Sequence, residues 1–347
     1  MGTSVIVNGR YSTKFVSGIN RYSLEICQRL GGKIKYCAPT KFSSIVNGIP
    51  WEQSYLPFLV GSDDLLWSPG NTGPLGVSNQ VVTIHDLIPL EHPEWFKSSF
   101  SAWYRFLLPR LSNRAMHIIT ISEFSKERIS TILGILPEKI TIVPEGVGDE
   151  FRQENSKRIM DVQQKYNIPQ KYLLVVSSLE PRKNLKRLLE SWEIIYQRYQ
   201  DIELAIVGIS RYSPRDVGFS KLPKGVNLIG YVDDIDLPAV YSGAIALIFP
   251  SIYEGFGLPV LEAMACGTPV IASNTSSLPE VIGDAGLLFD PFEIDDITSS
   301  IEKFLHDGEL REDLREKGFK QATKFSWDTT AERVWAVLSQ TIAEINS

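Results

Sequence analysis

Two doubly wound α/β domains are the fold that this sequence predicts. The first observation is a rhythm of short, near-continuous apolar runs alternating with helical patterns, which is typical of parallel strands covered by helices on both faces. The second is that this rhythm stops over a polar stretch, residues 149–171, and then starts again. The third is the length of 347 residues, which exceeds one ordinary domain and leaves each of two domains enough chain for a core.

Six apolar runs precede the polar stretch and six follow it. Those of the first half are residues 4–8, 33–37, 65–68, 80–85, 117–122 and 140–144. Those of the second half are residues 172–178, 203–208, 226–232, 244–250, 268–273 and 285–289. Each half is therefore expected to form one parallel sheet, and the two are joined near residues 150–170. Ligands of such sheets bind beyond the carboxyl ends of the strands, so the residues that follow each run are the ones to inspect.

Composition narrows the class of protein. Hydrophobic residues make up 43% and charged residues 22%, which is the balance of a soluble globular protein. The net charge of -6 argues against a nucleic-acid partner, and no apolar run reaches the roughly 18 residues of a membrane span. The three cysteines have no metal-ligand spacing. We expect a cytoplasmic protein, with peripheral attachment to the inner face of the membrane left open.

The segment "EGFGLPVLE", residues 254–262, has the features of an anion site at the end of a strand. Gly255 and Gly257 suit a sharp turn or the close approach of a ligand. Pro259 suits the first position of a helix, where its missing N–H costs nothing. The amides of residues 255–258 at that helix start can therefore hold a phosphate.

Two carboxylates flank this phosphate seat. Glu262, one turn into the helix, is placed to accept hydrogen bonds from a ribose diol. Glu254, ahead of the glycines, is placed to bind hydroxyls of whatever the phosphates carry. The alternative is a tight turn with two solvated glutamates.

A basic segment, "SSLEPRKN", follows the run 172–178. The helix after it is expected to open at about Pro181, which puts Arg182 and Lys183 in its first turn, where the macrodipole disfavours cations. An anionic ligand would compensate for that placement; a solvated basic patch paired with Glu180 is the alternative. Together the two helix starts can hold a diphosphate between amides and cations, an arrangement that needs no metal.

Three further positions follow strands or open helices in the first half. His85 and Asp86 leave the run 80–85 and are expected to face the crevice, although a histidine there is more often a capping or core residue. Gly18 opens an amphipathic helix and either relieves a turn or lies at the mouth of the sheet. Ser122 is interpreted as a helix N-cap.

These motifs together resemble the retaining glycosyltransferases of the GT-B fold, from the large fourth family that includes many bacterial mannosyl- and glucosyltransferases. "PSIYEGFGLPVLEAMACGTPVIAS" matches that family's Glu-x7-Glu motif, and "EPRKN" matches its diphosphate-binding segment. "TIHDLIP" matches its histidine segment, "VSGINRY" its N-terminal glycine loop and "FSWDTTAERVWAVL" its final helix. "VPEGVGDEF" is similar to the family's hinge segment, but Glu145 stands where an asparagine is common.

The resemblance implies two Rossmann-like domains that face each other across a deep cleft. An N-terminal acceptor-binding domain is expected in residues 1–150, with a returning helix at 328–347, and a nucleotide-sugar-binding domain in residues 165–327. The implied activity is retaining transfer of a hexosyl unit from a UDP- or GDP-sugar to a saccharide or lipid-linked saccharide acceptor in cell-surface glycan biosynthesis. The implied mechanism is a front-face displacement in which the leaving phosphate helps to deprotonate the acceptor. Neither a metal nor a cofactor is implied.

The resemblance also implies roles for individual residues. Lys183, with Arg182 beside it, should bind the diphosphate and stabilise the leaving nucleotide. Glu254 should contact the donor sugar, His85 should lie over that sugar, and Glu262 should hold the ribose. The other expected donor contacts are Gly18, Gly255, Phe256, Gly257, Leu258, Tyr231 and Val232, of which the last two border the base.

Two other features leave alternatives open. The aspartates of "GSDDLL" and "YVDDID" are expected to be solvated rather than metal ligands. The basic, aromatic helix 95–114 can lie at a lipid surface, cover the core of the first domain or form an oligomer contact. A nucleotide-sugar epimerase of similar architecture is the alternative enzyme, and a catalytically silent sugar-nucleotide-binding subunit is the alternative without catalysis.

Overall fold

The structure, a computed structural model, describes residues 3–10, 18–39, 48–178, 180–208 and 221–347. The chain divides into two compact units. The first unit comprises Met1–Gly146 and Ser326–Ser347, and the second comprises Val147–Phe325. Each unit contains one six-stranded sheet whose paired strands are all parallel, so the predicted pair of doubly wound α/β domains is confirmed.

The first unit is built on one parallel sheet. Its strands are β1 (Val5–Asn8), β2 (Ile34–Cys37), β3 (Leu65–Ser68), β4 (Gln80–Thr83), β5 (His117–Thr120) and β6 (Ile140–Ile142). Its α-helices in the described ranges are α1 (Gly18–Leu30), α2 (Leu56–Leu59), α3 (Ile88–Glu91), α4 (Ser98–Arg114), α5 (Glu123–Leu133) and the C-terminal Trp327–Ile345. The strand order is β2-β1-β3-β4-β5-β6. Ser122 caps α5 as predicted, since its Oγ accepts from Ser125 N at 3.1 Å.

Neighbouring residues of the central strands are buried together. Leu65 and Leu66 of β3 and Ile118 and Ile119 of β5 are all fully buried. Consecutive side chains of a strand point to opposite faces. Both faces of the sheet are therefore covered, which is why these strands are apolar runs rather than alternating patterns.

The C-terminal helix belongs to the first unit. Ser326 Oγ caps it by accepting from Thr329 N at 3.2 Å. Its apolar face, with Trp327, Val334 and Leu338, is buried, and the Trp327 ring lies edge-on to Tyr22 of α1 at a centroid distance of 6.2 Å. The predicted return of the final helix to the first domain is therefore confirmed. No helix in the described ranges is long and apolar enough to cross a membrane.

The second unit is built on a second parallel sheet. Its strands are β7 (Tyr172–Val176), β8 (Glu203–Val207), β9 (Val226–Gly230), β10 (Ala246–Phe249), β11 (Val270–Ser273) and β12 (Gly286–Phe289). Its α-helices in the described ranges are α6 (Ser156–Tyr166), α7 (Leu185–Arg198), α8 (Leu237–Gly243), α9 (Leu258–Ala265), α10 (Leu278–Ile282), α11 (Ile294–His306) and α12 (Gly308–Ala322), and the C-terminal helix of the first unit is α13. The strand order β12-β11-β10-β7-β8-β9 is that of a Rossmann domain. It reverses between β7 and β10.

The polar stretch between the two sets of strands lies in the second unit rather than forming a free linker. Within it, α6 places Val162 in the core at 1% exposure. Phe151 and Ile168, on either side of α6, are buried in the same cluster. The stretch looks polar because α6 buries only one narrow face.

Asp236, in the loop "YVDDID", is buried at 2% exposure, so the expectation that this loop is solvated is wrong for that residue. Lys165 Nζ and Tyr166 Oη donate to it at 2.7 Å and 2.8 Å, and Arg158 pairs with its other oxygen. Burial acts in the opposite direction, but these partners lower the pKa of Asp236. The carboxylate therefore fastens α6 to the start of α8. Within the described ranges, no three side chains of His, Cys, Asp or Glu are grouped to hold a metal ion.

Candidate active site

The strand order of the second sheet reverses between β7 and β10, and ligands of such sheets bind beyond the strand ends at this point. These strands pair directly, with Leu174 opposite Leu247. The loops that follow them touch, since Ile252 N donates to the carbonyl oxygen of Arg182 at 2.7 Å. The basic segment and the glutamate segment singled out in the sequence therefore meet at one place.

Lys183, Arg182 and Glu254 form one ion cluster at this place. Lys183 Nζ lies 2.6 Å from Glu254 Oε1, and Arg182 Nη1 lies 2.7 Å from Glu254 Oε2. Arg182 Nε also donates to Glu180 Oε2 at 2.5 Å. Lys183 and Glu254 are only 9% and 7% exposed. Both cations thus converge on one carboxylate, largely out of water.

The electrostatics of the cluster keep Glu254 ionised. Burial alone would raise the pKa of Glu254, but the charges of Lys183 and Arg182 outweigh it and lower that pKa to about 2. Burial lowers the pKa of Lys183, against the attraction of Glu254. A carboxyl group with so low a pKa is a poor proton acceptor at neutral pH.

The two cations lie in a 3-10 turn, Pro181–Lys183, that precedes α7. The expected opening of the helix at about Pro181 is therefore wrong. Asn184 takes a left-handed conformation with φ 54° and separates the turn from α7, which begins at Leu185. The cations are held by this turn, outside the first turn of the helix.

The glycine segment ends in a left-handed residue at the start of α9. Gly257 has φ 113°, and a Cβ there would come within 2.9 Å of Leu278 Cδ2. α9 then begins at Leu258, with Pro259 in its first turn. The backbone amides of residues 255–258 donate to no acceptor in the described part of the chain. Free amides at a helix N-terminus suit an anion, and the phosphate seat stays a prediction.

Two serines that the sequence analysis missed hold this loop in place. Ser276 Oγ accepts from Glu254 N at 3.0 Å. Ser277 Oγ lies 3.0 Å from the carbonyl oxygens of both Glu254 and Phe256. They follow β11, the strand next to β10, so their position after a strand end was the available signal.

Glu262 of α9 is buried at 5% exposure and hydrogen-bonded to a tyrosine. Tyr241 Oη of α8 donates to Glu262 Oε2 at 2.7 Å. Tyr241 is itself fully buried, and its ring lies edge-on to Phe151 at a centroid distance of 6.1 Å. Tyr241 was not predicted from the sequence, because nothing in a helical tyrosine indicates which carboxylate it will reach.

The expected base-side pair, Tyr231 and Val232, follows β9. Tyr231 is 61% exposed, whereas Val232 is 2% exposed and belongs to the hydrophobic core. A ring at the surface is available to stack on a base, whereas the side chain of Val232 is committed to packing.

The remaining two expected site residues lie in the first unit. Gly18 is the first residue of α1 and is exposed. His85 follows β4 and is 3% exposed, which is the environment of the core histidine considered as an alternative. Their roles toward a donor stay predictions.

Two family models match the chain. The model described as glycosyl transferases group 1 matches residues 157–321, which include the ion cluster and the glycine segment. The model described as glycosyltransferase family 4 matches residues 67–151, which include His85.

Comparison with individual proteins gives relatives in sequence and in fold. O-antigen chain mannosyltransferase B of Escherichia coli is 34% identical over 261 residues, covering 74% of this chain and 68% of that protein. Serotype-specific mannosyltransferase WbdA of Escherichia coli is 31% identical over 262 residues, covering 72% of this chain but 32% of that protein. The structure of Anabaena Alr3699/HepE in complex with UDP-glucose superposes with a TM-score of 0.76 at 15% identity, covering 97% of this chain and 99% of that one.

Proposed function

Because this chain belongs to the group 1 glycosyl transferases and has their GT-B fold, we propose that it moves a hexosyl unit from a nucleotide-diphosphate sugar to a saccharide or lipid-linked saccharide. Mannose is the first candidate for the transferred sugar, because both relatives described above are named mannosyltransferases. The proposed donors are GDP- and UDP-hexoses; a UDP-sugar is bound in one protein of the same fold. The biological setting proposed is the synthesis of a cell-surface polysaccharide.

The ion cluster of Lys183, Arg182 and Glu254 is the observation that carries this proposal. Two cations from one turn point at the same spot, where the oxygens of a diphosphate would find two charged donors. Each oxygen of Glu254 keeps a further lone pair while it pairs with them. Glu254 is thus suited to align the cations and to accept hydrogen bonds from sugar hydroxyls.

The nucleotide side of the site is proposed to lie along α9. The amides of residues 255–258 supply a seat for phosphate oxygens. Tyr241 orients Glu262 through Oε2, and we assign the carboxylate of Glu262 to the ribose hydroxyls. The exposed ring of Tyr231 is suited to stack on the base.

We propose a front-face displacement that retains the configuration of the anomeric carbon. The bond between that carbon and the phosphate oxygen breaks as the bond to the acceptor oxygen forms, and the acceptor proton passes to the leaving phosphate oxygen. Glu254 has a pKa of about 2, so it is suited neither to take that proton nor to donate one. Lys183 and Arg182 would stabilise the charge that develops on the phosphate.

We also propose that transfer needs no metal ion. The charge of a diphosphate must be offset by cations as the nucleotide leaves, and Lys183 and Arg182 are placed to do this. The rate of hexosyl transfer measured in EDTA should therefore equal the rate measured with added Mg²⁺ or Mn²⁺. A loss of transfer in EDTA that Mg²⁺ restores would contradict this part of the proposal.

We propose that the exposed surface of helix α4 contacts the membrane in which a lipid-linked acceptor would lie. One face of α4 covers the core of the first unit with Leu107, Leu108 and Leu111. The helix also exposes Phe100 and Phe106, at 40% and 46%. It exposes the cations Arg105, Arg110 and Arg114 as well. Aromatic and basic side chains together suit the surface of an anionic bilayer.

The proposal is tested with a donor panel of GDP-mannose, UDP-glucose, UDP-galactose and UDP-N-acetylglucosamine. One donor should raise the melting temperature and be hydrolysed slowly; a ligand at 100 times its Kd stabilises by about 2.7 kcal/mol. If no donor binds better than inorganic phosphate, the transferase proposal fails. If a donor binds but is never turned over, the silent binding subunit is favoured.

Product analysis addresses the epimerase alternative, which the comparisons do not support, since the matched families and the relatives described are transferases. A transferase leaves the configuration of unreacted donor unchanged and releases a nucleoside diphosphate. Conversion of the donor into its epimer without an acceptor would contradict the proposal.

A further inference from the structure

His85 has all its polar atoms engaged inside the first unit. Its backbone N–H donates to Asn71 Oδ1 at 2.6 Å, and its carbonyl accepts from Ser125 Oγ at 2.8 Å. Its ring Nε2 lies 2.9 Å from the carbonyl oxygen of Pro69, and its ring Nδ1 lies 3.3 Å from Glu145 Oε1. Both ring nitrogens therefore face oxygen atoms.

Those two oxygens determine how many protons the ring needs. The carbonyl oxygen of Pro69 can only accept, so Nε2 must carry a proton. An ionised carboxylate also only accepts, so Nδ1 beside Glu145 needs a proton too. A neutral imidazole has a single N–H. While Glu145 is ionised, the ring can therefore satisfy both acceptors only as an imidazolium.

Both His85 and Glu145 are buried, so an unpaired charge on either side chain would be costly. His85 is 3% exposed and Glu145 is 4% exposed. Within the described part of the chain, His85 lies within ion-pairing distance of Glu145, and no other basic side chain does. An ionised carboxylate removed from water costs several kcal/mol unless a cation accompanies it. An imidazolium at His85 and a carboxylate at Glu145 would therefore stabilise each other's charged form.

Among the residues that the structure describes, Tyr22 is a further titratable side chain packed against the ring. Tyr22 of α1 lies edge-on to His85 at a centroid distance of 4.7 Å. Burial, and to a lesser degree the charge of Glu145, raises the pKa of Tyr22 above its ordinary value. The phenol is therefore neutral at physiological pH and does not compete with Glu145 as an anion.

We propose that Glu145 is a positioning residue that keeps a proton on Nδ1 of His85, so that the ring is an imidazolium with both N–H groups engaged. This inference rests on the proposed transferase function and deepens it, because such a ring cannot accept the proton of the acceptor hydroxyl. That proton goes to the leaving phosphate oxygen, and His85 gains and loses none.

Nitrogen NMR of the full chain labelled with ¹⁵N-histidine tests the protonation directly. The sequence has four histidines, and the signals lost in His85→Asn identify the ring in question. At neutral pH both ring nitrogens of His85 should resonate as protonated nitrogens. In Glu145→Gln only Nε2 should do so, and Glu145→Asp should restore the second proton. An unprotonated Nδ1 in the wild type would overturn the proposal.

Kinetics separate a positioning role from a purely structural one. Glu145→Gln should lower kcat by up to about 100-fold, because a shift of about 1 Å in a group of the site can cost that much. The KM for the donor should change much less. The matched control is Glu138→Gln, an exposed acid of the same unit, which should behave as the wild type. Unchanged kcat in Glu145→Gln would exclude the positioning role.

The proposed transferase function and the proposed role of Glu145 can fail independently of each other. The NMR signals of His85 do not depend on turnover, so they establish its charge even if no donor on the panel is used. If transfer is observed while Nδ1 is unprotonated, the function stands and the role of Glu145 falls.

Discussion

Lys183 Nζ lies 2.6 Å from Glu254 Oε1, although the two residues are 71 positions apart in the sequence. β7 and β10, the strands before them, are neighbours in the sheet, so the two loops begin side by side. Both side chains are buried, so replacing either one leaves the other with a buried charge that has lost this partner. Mutations in this cluster are therefore expected to affect both stability and the proposed transfer, and the experiments must measure both.

Lys183→Ala should lower kcat/KM at least about 100-fold, because one of the donors to the leaving phosphate is lost. Arg182 still pairs with Glu254, so the chain should stay folded and lose no more than about 3 kcal/mol of unfolding free energy. Steady-state rates and urea unfolding measure the two effects. Lys186→Ala, which removes an exposed lysine of α7, is the control. Wild-type turnover in the Lys183 variant would remove the diphosphate assignment.

Glu254→Gln should change how the free energy of unfolding depends on pH. The folded-state pKa of Glu254 is lowered from 4.5 to about 2, so its charge stabilises the fold fully above pH 4.5 and ceases to do so as the pH falls toward about 2. The difference in unfolding free energy between wild type and variant should therefore shrink as the pH is lowered through that range. Urea titrations at several pH values measure it. A difference that stays constant with pH would show that Glu254 is not held by the two cations.

Tyr241→Phe should raise the KM for the nucleotide donor, because Glu262 loses the hydrogen bond that fixes its orientation. Loss of one such bond is worth about 1 kcal/mol, or roughly fivefold in affinity. The kcat should change little. Tyr172→Phe is the matched control, since its hydroxyl donates to the carbonyl oxygen of Val240 and not to Glu262. Equal KM values in the two variants would leave Tyr241 with a structural role only.

Gly257→Ala should disrupt the anion seat. Alanine at φ 113° is strained and meets Leu278, so the variant should lose about 1 to 3 kcal/mol of stability and most donor affinity. Gly134→Ala has a comparable backbone penalty at φ 66° with no neighbour near the added methyl group, and it lies in the first unit. Donor binding by thermal shift should fail in the first variant and persist in the second.

Charge removal from α4 should weaken binding to anionic membranes. Sedimentation with vesicles of phosphatidylcholine containing phosphatidylglycerol should bring down the wild type, and salt should reverse it. Replacing Arg105, Arg110 and Arg114 by glutamine should abolish this sedimentation. Each cation contributes about 1 kcal/mol of binding free energy to an anionic membrane. The control replaces exposed cations of the second unit by glutamine: Lys186, Arg311 and Lys320. Equal sedimentation of the two triple variants would contradict contact through α4.

The sequence predicts the sheets and the main motifs because their signals are local. Buried parallel strands are apolar throughout, and Gly257 is a glycine because its backbone conformation requires one. The start of α7 was misplaced because the left-handed Asn184 has no unambiguous signature. Tyr241 and Ser277 were missed because their partners lie on other elements, and only packing decides which oxygen a buried hydroxyl reaches. The same holds for Asp236, whose burial depends on α6.

The placement of α13 also determines the order in which the chain can fold during synthesis. The second unit is continuous from Val147 to Phe325, so all its strands have left the ribosome before α13 emerges. The first unit lacks the helix that covers Tyr22 until Trp327–Ile345 has been made. Domains usually mature in the order of synthesis, from the N-terminus onward. Here the unit that begins first is completed last, and its uncovered apolar face is the surface that a chaperone would have to shield in the meantime.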